Sequence, residues 1–324
     1  MKSYGTIAVG LDMNTPVVIF AYNRAKKLKA CIDSLSSCDG HENTEVYIFA
    51  DGARDESDRD AVNRVRTYLD SLKEEHAFAR LYIVRRPENM GLAANVIDGV
   101  GSVIEGVEKV IVLEDDLTVT KDFLTYMNAA LDFYRDDAKI WSVTGFTWPV
   151  SDFSGYGHDI YYSYRACSLG WGTWKDRWET VDWDMKGYDE VMSDRRLRRR
   201  FERGGRDMTR ILKDQKAGLV DSWAIRWCLS QSLQDRYTVY PVRSLVKNTG
   251  NDGSGTNDLK RKTLQEDRQE TGVHENGKSI RLEHLAPDDR ICRDFSRYHS
   301  GFIRRLIRNL NPAGIKRQIR RLGK

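Results

Sequence analysis

No stretch of eighteen or more apolar residues occurs in the chain, so no segment is expected to span a lipid bilayer as a helix. The cysteines Cys31, Cys38, Cys167, Cys228 and Cys292 are odd in number and lack the short paired spacings of a zinc site. No apolar signal region follows Met1. These absences together lead us to expect a reducing compartment, most simply the cytoplasm. Missing too are GxxxxGK followed by Ser or Thr, and GxGxxG, the glycine loops that cradle phosphates in P-loop and dinucleotide-binding proteins. Any phosphate-bearing ligand must therefore be held by other means.

What is present is a composition suited to a folded globule. With 324 residues, 40% hydrophobic and 10% aromatic, the chain can build one large α/β domain or two modest ones. Charge is distributed unevenly. Residues 302–324 carry eight Lys or Arg and no acid, so removing them from the net charge of +4 leaves about −4 for the rest. The basic character belongs to the tail, and the body makes no general bid for nucleic acid.

Short runs rich in Val and Ile, PVVIFAY (16–22), EVYIFAD (45–51), RLYIVRR (80–86), KVIVLED (109–115) and KIWSVTG (139–145), alternate with polar, helix-length stretches at 24–37, 55–75, 92–106 and 120–136. That alternation predicts βα units around a mostly parallel sheet with helices on both faces. Ligands of such sheets bind beyond the carboxyl ends of the strands. The polar residues are placed accordingly: Asn23 and Arg24 follow the first strand, Asp51 and Gly52 the second, Asn89 and Gly91 the third. An Asp-Gly pair alone is an ordinary turn; successive strands delivering polar groups to one edge favour a site.

The fourth strand ends on Glu114, Asp115 and Asp116, after which Leu117 and Val119 resume the apolar pattern. Like charges at a strand tip repel one another and pay for desolvation, so a positive partner is expected there. A hard divalent cation, Mg²⁺ or Mn²⁺, suits them, because it is typically held by one or two carboxylates plus substrate phosphate oxygens and waters.

VIVLEDDLTVTKDF, with FAYNR and FADG upstream, resembles the GT-A glycosyltransferases, and within them the branch typified by N-acetylglucosaminyltransferase I, whose acidic metal motif is EDD. The resemblance runs from about residue 16 to about residue 256. It implies an α/β GT-A fold, Asp116 as metal ligand, Glu114 and Asp115 beside the ribose and sugar, Arg24 on the donor side, and Asp51 reading uracil. SLGWGTWKDRW (168–178) resembles the segment that shapes the acceptor side. There Trp171, between Gly170 and Gly172 in an expected loop, is the candidate for stacking on a sugar, whereas Trp174 and Trp178 read as core at i and i+4 of one helix face. GLVDSWAIRWCLSQSL (218–233) reads as an amphipathic helix opening at Asp221. Asp221 is either its N-cap or the general base of an inverting transfer. In the resembled family the catalytic Asp directly precedes the Trp, whereas Ser222 holds that place here; Asp182, Asp184 and Asp189 are the substitutes. PVRSLV (241–246) reads as a strand before a Gly-rich loop, where Lys247, Gly253 and Ser254 are candidate phosphate contacts.

The expected organisation is a catalytic domain over 1–257, with a donor half at 16–145 and an acceptor half at 146–257, then a charged extension at 258–301 and a basic tail at 302–324. In the tail Phe302, Ile303, Leu306, Ile307 and Leu310, then Ile315, Ile319 and Leu322, repeat at helical spacing among arginines. That pattern reads as an interfacial anchor for an anionic inner leaflet, or as a helix packed on the body or a partner. The resulting expectation is a cytoplasmic, peripherally membrane-bound, metal-dependent inverting glycosyltransferase. It would use a UDP-sugar to extend a lipid-linked glycan such as an O-antigen or capsule repeat. A sugar nucleotidyltransferase and an inactive nucleotide- or glycan-binding protein are the alternative readings.

Overall fold

The computed structural model describes residues 13–250 and 279–299. In chain order the strands are β1 (Val17–Ala21), β2 (Glu45–Ala50), β3 (Arg80–Arg85), β4 (Lys109–Glu114), β5 (Leu117–Val119), β6 (Ile140–Thr144), β7 (Ile160–Ser163), β8 (Trp171–Trp174), β9 (Tyr237–Pro241) and β10 (Val246–Asn248). The α-helices are α1 (Ala25–Leu35), α2 (Glu56–Glu74), α3 (Leu92–Ile104), α4 (Phe123–Phe133), α5 (Lys175–Trp178), α6 (Tyr188–Ser193), α7 (Arg195–Phe201), α8 (Met208–Lys216), α9 (Trp223–Leu233) and α10 (Asp289–Tyr298).

Eight strands form one sheet in the order β3-β2-β1-β4-β8-β6-β9-β7, in which β8 runs antiparallel to β4 and β6, and β7 antiparallel to β9. The remaining strands are parallel, and this mostly parallel sheet flanked by helices is the GT-A fold. β1 shows why. All five of its residues are buried, with Val17, Ile19 and Ala21 packing into one apolar layer and Val18 and Phe20 into the other, the period-2 division expected of a strand covered on both faces. α2 supplies part of the cover: Asp55 caps its start by accepting from Ser57 N, and Val62, Val65, Leu69 and Leu72 make its buried stripe. β5 and β10 pair separately, laying the chain after β9 across the strand that follows the acid triplet.

Three expectations need correction. PVRSLV is not one strand: β9 ends at Pro241 and β10 begins at Val246, with Ser244 Oγ accepting from Val246 N in the turn between them. α9 is not amphipathic; Trp223, Ile225, Trp227, Cys228, Leu229, Ser230, Gln231 and Ser232 are all buried. Its polar residues find partners inside, as when Gln231 Nε2 donates to Arg236 O at 3.2 Å and Ser230 Oγ accepts from Asp182 N at 3.0 Å.

Nor is residue 257 where packing ends. Ile280, Leu282 and Leu285 lie on the core, the hydroxyls of Tyr134 and Tyr162 donate to Glu283 O at 2.5 and 3.2 Å, and α10 buries Ile291, Cys292 and Phe295. A narrow apolar face inside a charged stretch is a weak signal beside eight-residue polar gaps. Phe295, edge-on to Tyr240 with ring centroids 5.6 Å apart, is the anchor. Phe295→Ala is expected to lower the unfolding free energy by about 3–5 kcal/mol in chemical denaturation, whereas a detached extension would change it by no more than ~0.5 kcal/mol.

Candidate functional site

The site is assembled at the carboxyl ends of the parallel strands. β1 and β4 are neighbours, with Phe20 opposite Glu114, so the residues that follow each strand meet. After β1, Tyr22 OH donates to Asp58 Oδ2 at 2.5 Å and Arg54 Nε to the same oxygen at 2.7 Å, pinning the loop to the first turn of α2. Arg24 is thereby aimed at the triplet: Nη1 donates to Asp116 Oδ2 at 2.8 Å and Nη2 to Asp115 Oδ1. This forked guanidinium is the positive partner that the strand end demands.

It is not enough to balance the charge. Asp115 is 2% and Asp116 9% exposed, with half-buried Glu114 beside them, so one guanidinium faces three carboxylates. Burial pushes Glu114 up to about 8, with the Asp116 and Asp115 charges adding to it. Burial likewise pushes Asp115 up to about 6, although Arg24 pulls the other way. Asp115 Oδ2 and Asp116 Oδ1 are buried with no hydrogen-bond partner among the described residues. Two hard, orphaned oxygens on a surplus of negative charge fit a divalent cation. Among the described residues no three Asp, Glu, His or Cys side chains converge on one point.

The strap from β10 closes on the same place. Thr249 donates twice to Asp116 O, from N and from Oγ1, each at 2.8 Å, while Lys27 Nζ donates to Thr249 O. A Cβ on Gly250 would stand 2.1 Å from Asp116 Oδ2, so only glycine passes beneath that carboxylate. Lys247 is exposed on β10 opposite Thr118. Gly253 and Ser254 lie outside the described residues.

Asp51 is buried at the end of β2 and its carboxylate is filled. Oδ1 accepts from Gly52 N at 2.9 Å and Met90 N at 2.8 Å; Oδ2 accepts from Asn89 Nδ2 at 3.0 Å and Gly91 N at 3.2 Å. It anchors the β3-α3 loop. A Cβ on Gly52 would lie 2.4 Å from the Glu88 carbonyl carbon, which explains the Asp-Gly pair by close approach. That loop leads to Asp221. Asp221 Oδ2 accepts from Ala93 N at 3.4 Å in the first turn of α3, and Oδ1 accepts from Arg226 Nη2 at 3.2 Å. Its side chain is 58% exposed. It is not the N-cap of α9, because Ser222 fills that role by accepting from Ile225 N. The substitutes lie elsewhere: Asp182 accepts from Gly187 N at 3.0 Å and sits beside Ser230, two turns down α9, with Asp184 and Asp189 nearby in sequence.

Trp171 does not take the sugar-stacking place expected of it. It is 1% exposed, on β8, and stacks on Trp178 and Trp223 with centroids 6.0 and 5.0 Å apart. Gly172 is a strand glycine, needed because a Cβ there would stand 2.9 Å from Val110 O. Trp174 and Trp178 are core as expected, but in separate layers, since the first belongs to β8 and only the second to a helix. Sequence reasoning missed an apolar rim. Met90 and Leu92 flank Gly91, Leu219 and Val220 precede Asp221, and these are four of the seven large apolar side chains exposed among the described residues. Two of them sit in GLVD, an apolar pair before an acid that periodicity assigns to a helix.

The family described as glycosyl transferase family 2 matches residues 17–191. No curated protein matches the chain in sequence. Among solved structures, the mannosyltransferase PcManGT from Pyrobaculum calidifontis, in complex with GDP-Man and Mn²⁺, aligns at 13% identity over 70% of this chain and 74% of its own, with a TM-score of 0.39. A fragment of S. aureus TarS, residues 1–349, aligns at 12% identity over 73% of this chain and 60% of its own, with a TM-score of 0.44.

The role of Asp51 as an anchor is measurable. Asp51→Ala removes the acceptor from buried amides and is expected to cost about 3 kcal/mol. Hydrogen exchange should accelerate at the Met90 and Gly91 amides ahead of the β1 and β4 amides; unchanged protection of the loop would remove the anchor role.

Proposed function

Because the chain belongs to glycosyl transferase family 2 and is a glycosyltransferase of GT-A fold, we propose that it is a metal-dependent, inverting enzyme that moves a sugar from a UDP-sugar to a glycan acceptor. The carrying observation is the Arg24 fork between Asp115 and Asp116, with two buried carboxylate oxygens left over. Family membership weighs against nucleotidyl transfer.

In this reading Asp116, with Asp115 and Glu114 behind it, holds Mn²⁺ or Mg²⁺, which supplies charge stabilisation for a departing diphosphate. Arg24 is the resident cation of the free protein. Its donors can pass from carboxylate to phosphate oxygens when donor binds, and a guanidinium suits both. The loop that Asp51 anchors carries the base, with Asp51 as the uracil-side residue, and Lys247 and Ser254 attend the phosphates. Asp221, open to solvent and oriented by Arg226 and the start of α3, accepts the proton of the acceptor hydroxyl. The hydroxyl oxygen forms the new bond to the anomeric carbon as the bond to phosphate breaks, and the nucleoside diphosphate leaves from the opposite face. The rim of Met90, Leu92, Leu219 and Val220 beside Asp221 supports an acceptor with an apolar portion, such as a lipid-linked glycan. The basic tail, outside the described residues, would hold the enzyme at the membrane.

Calorimetric titration of UDP and GDP, each with and without Mn²⁺, tests the donor site. UDP is expected to bind the wild type in a Mn²⁺-dependent manner and to lose that dependence in Asp116→Ala. GDP binding in place of UDP would reassign the base, and no metal-dependent nucleotide binding would overturn the site. Asp221→Asn is expected to reduce kcat by roughly 10²- to 10⁴-fold with unchanged UDP affinity. Near-normal turnover in that variant would transfer the base role to another group.

A further inference from the structure

We propose that the folded body carries a second functional surface, an arginine face formed by α7, the turn 202–206 and α10, which docks on an anionic lipid bilayer. The stretch 195–206, RRLRRRFERGGR, places Arg195, Arg196, Arg198, Arg199, Arg200, Arg203 and Arg206 against the single acid Glu202. Like charges three and four residues apart work against a helix. α7 persists because Asp194 Oδ1 accepts from Arg196 N and Leu197 N at its start and Phe201 is buried at its end. Arg198 and Arg200 are used by the fold, donating to the carbonyls of Met192 and Leu233 at 3.3 Å each, whereas Arg199 and Arg206 are exposed and form no ion pair among the described residues.

α10 packs against this turn, Ser296 Oγ donating to Glu202 O at 3.2 Å, and brings Arg293 to it. Between them lies an open cavity of ≈ 260 Å³ lined by Arg199, Arg203, Arg206 and Arg293, with Glu202 and Asp289. Arg165 and Arg24, by contrast, are matched by carboxylates, Asp207 at 2.9 Å and Asp116 at 2.8 Å. These four are exposed and make no ion pair among the described residues; Arg203 lies over the Tyr164 ring at 3.8 Å. The face is not background charge, since the chain without its tail carries about −4, from +4 less the eight basic residues of 302–324.

Two features select a bilayer as the partner. A single-stranded nucleic acid site would offer exposed aromatic rings for base stacking, and the ring here, Tyr164, is 8% exposed beneath a guanidinium. α10 ends at Tyr298, so the chain that continues into the basic, apolar-spaced sequence from Phe302 sets out from this same face. The placement leaves the ligand edge clear. Arg200 Nη2 donates to the carbonyl of Leu233, the last residue of α9, whereas Asp221 lies just before its first, so the two surfaces are roughly 16 Å apart along the helix. The inference uses no residue of the ligand edge and stands apart from the transferase reading.

The test is co-sedimentation of the full chain with phosphatidylcholine vesicles and with vesicles that also contain phosphatidylglycerol. Reversing Arg199, Arg203, Arg206 and Arg293 to Glu is expected to weaken binding to the anionic vesicles at least about tenfold, and to leave the neutral ones unchanged. Should charge reversal compromise folding, Arg206→Gln with Arg293→Gln, both at exposed positions, is expected to give a smaller loss in the same direction. A Leu306→Asp, Ile307→Asp variant reads the tail separately. Wild-type affinity in both arginine variants would overturn the proposal, as would complete loss of binding in the tail variant with none in the arginine variants. Arginine-dependent binding of an oligonucleotide, with vesicle binding unaffected, would overturn it in favour of nucleic acid.

Discussion

One guanidinium set against three carboxylates is the constraint around which the ligand edge is arranged. Arg24 reaches Asp115 and Asp116 only because β1 lies beside β4 in parallel register, and the loop after β1 is steadied by Asp58 of α2. Thr249 fixes the main chain of Asp116 from the other side, and Gly250 passes beneath its carboxylate. Electrostatic surplus at this point is a poor way to stabilise a fold, and in the proposed reading it prepares a place for a cation and a diphosphate.

Asp51 and Asp221 are tied through the backbone of the β3-α3 loop and the start of α3. Asp51 spends its carboxylate on the β3-α3 loop, and the helix that loop begins offers its first amides to Asp221. Asp221 is placed in turn by α9, a helix buried on nearly every side. A displacement of the β3-α3 loop is therefore felt at Asp221, with no long chain of side chains between them.

Much of the donor half was legible because parallel strands covered on both faces must be aliphatic throughout, and the residues that stop them stand out. β1 to β4 and α1 to α3 fall within a residue or two of the expected spans, and α4 is three residues shorter than expected at each end. The acid triplet announced itself by its cost. The acceptor half was harder for physical reasons. β8 has four residues and its glycine looks like a loop signal, although it is there to let two backbones approach. α9 carries polar residues whose partners are internal, so its pattern imitates a surface helix. The place of Asp221 before a Ser cap, and the exposure of Leu219 and Val220, depend on how α8 and α9 are joined, which periodicity does not encode.

Trp171, the tryptophan expected to meet sugar, has a different use. Trp141, Trp171, Trp178, Trp183, Trp223 and Trp227, six of the eight in the chain, form one contiguous array with ring centroids 4.4 to 6.3 Å apart. It joins β6, β8, α5 and α9 directly behind Asp221. Indoles so close exchange excitation, so the protein's ultraviolet emission and near-ultraviolet dichroism are collective properties of this array. The chain from β6 onward thus carries its own optical gauge, while the stretch from β1 to α4 contains no tryptophan and contributes no indole emission.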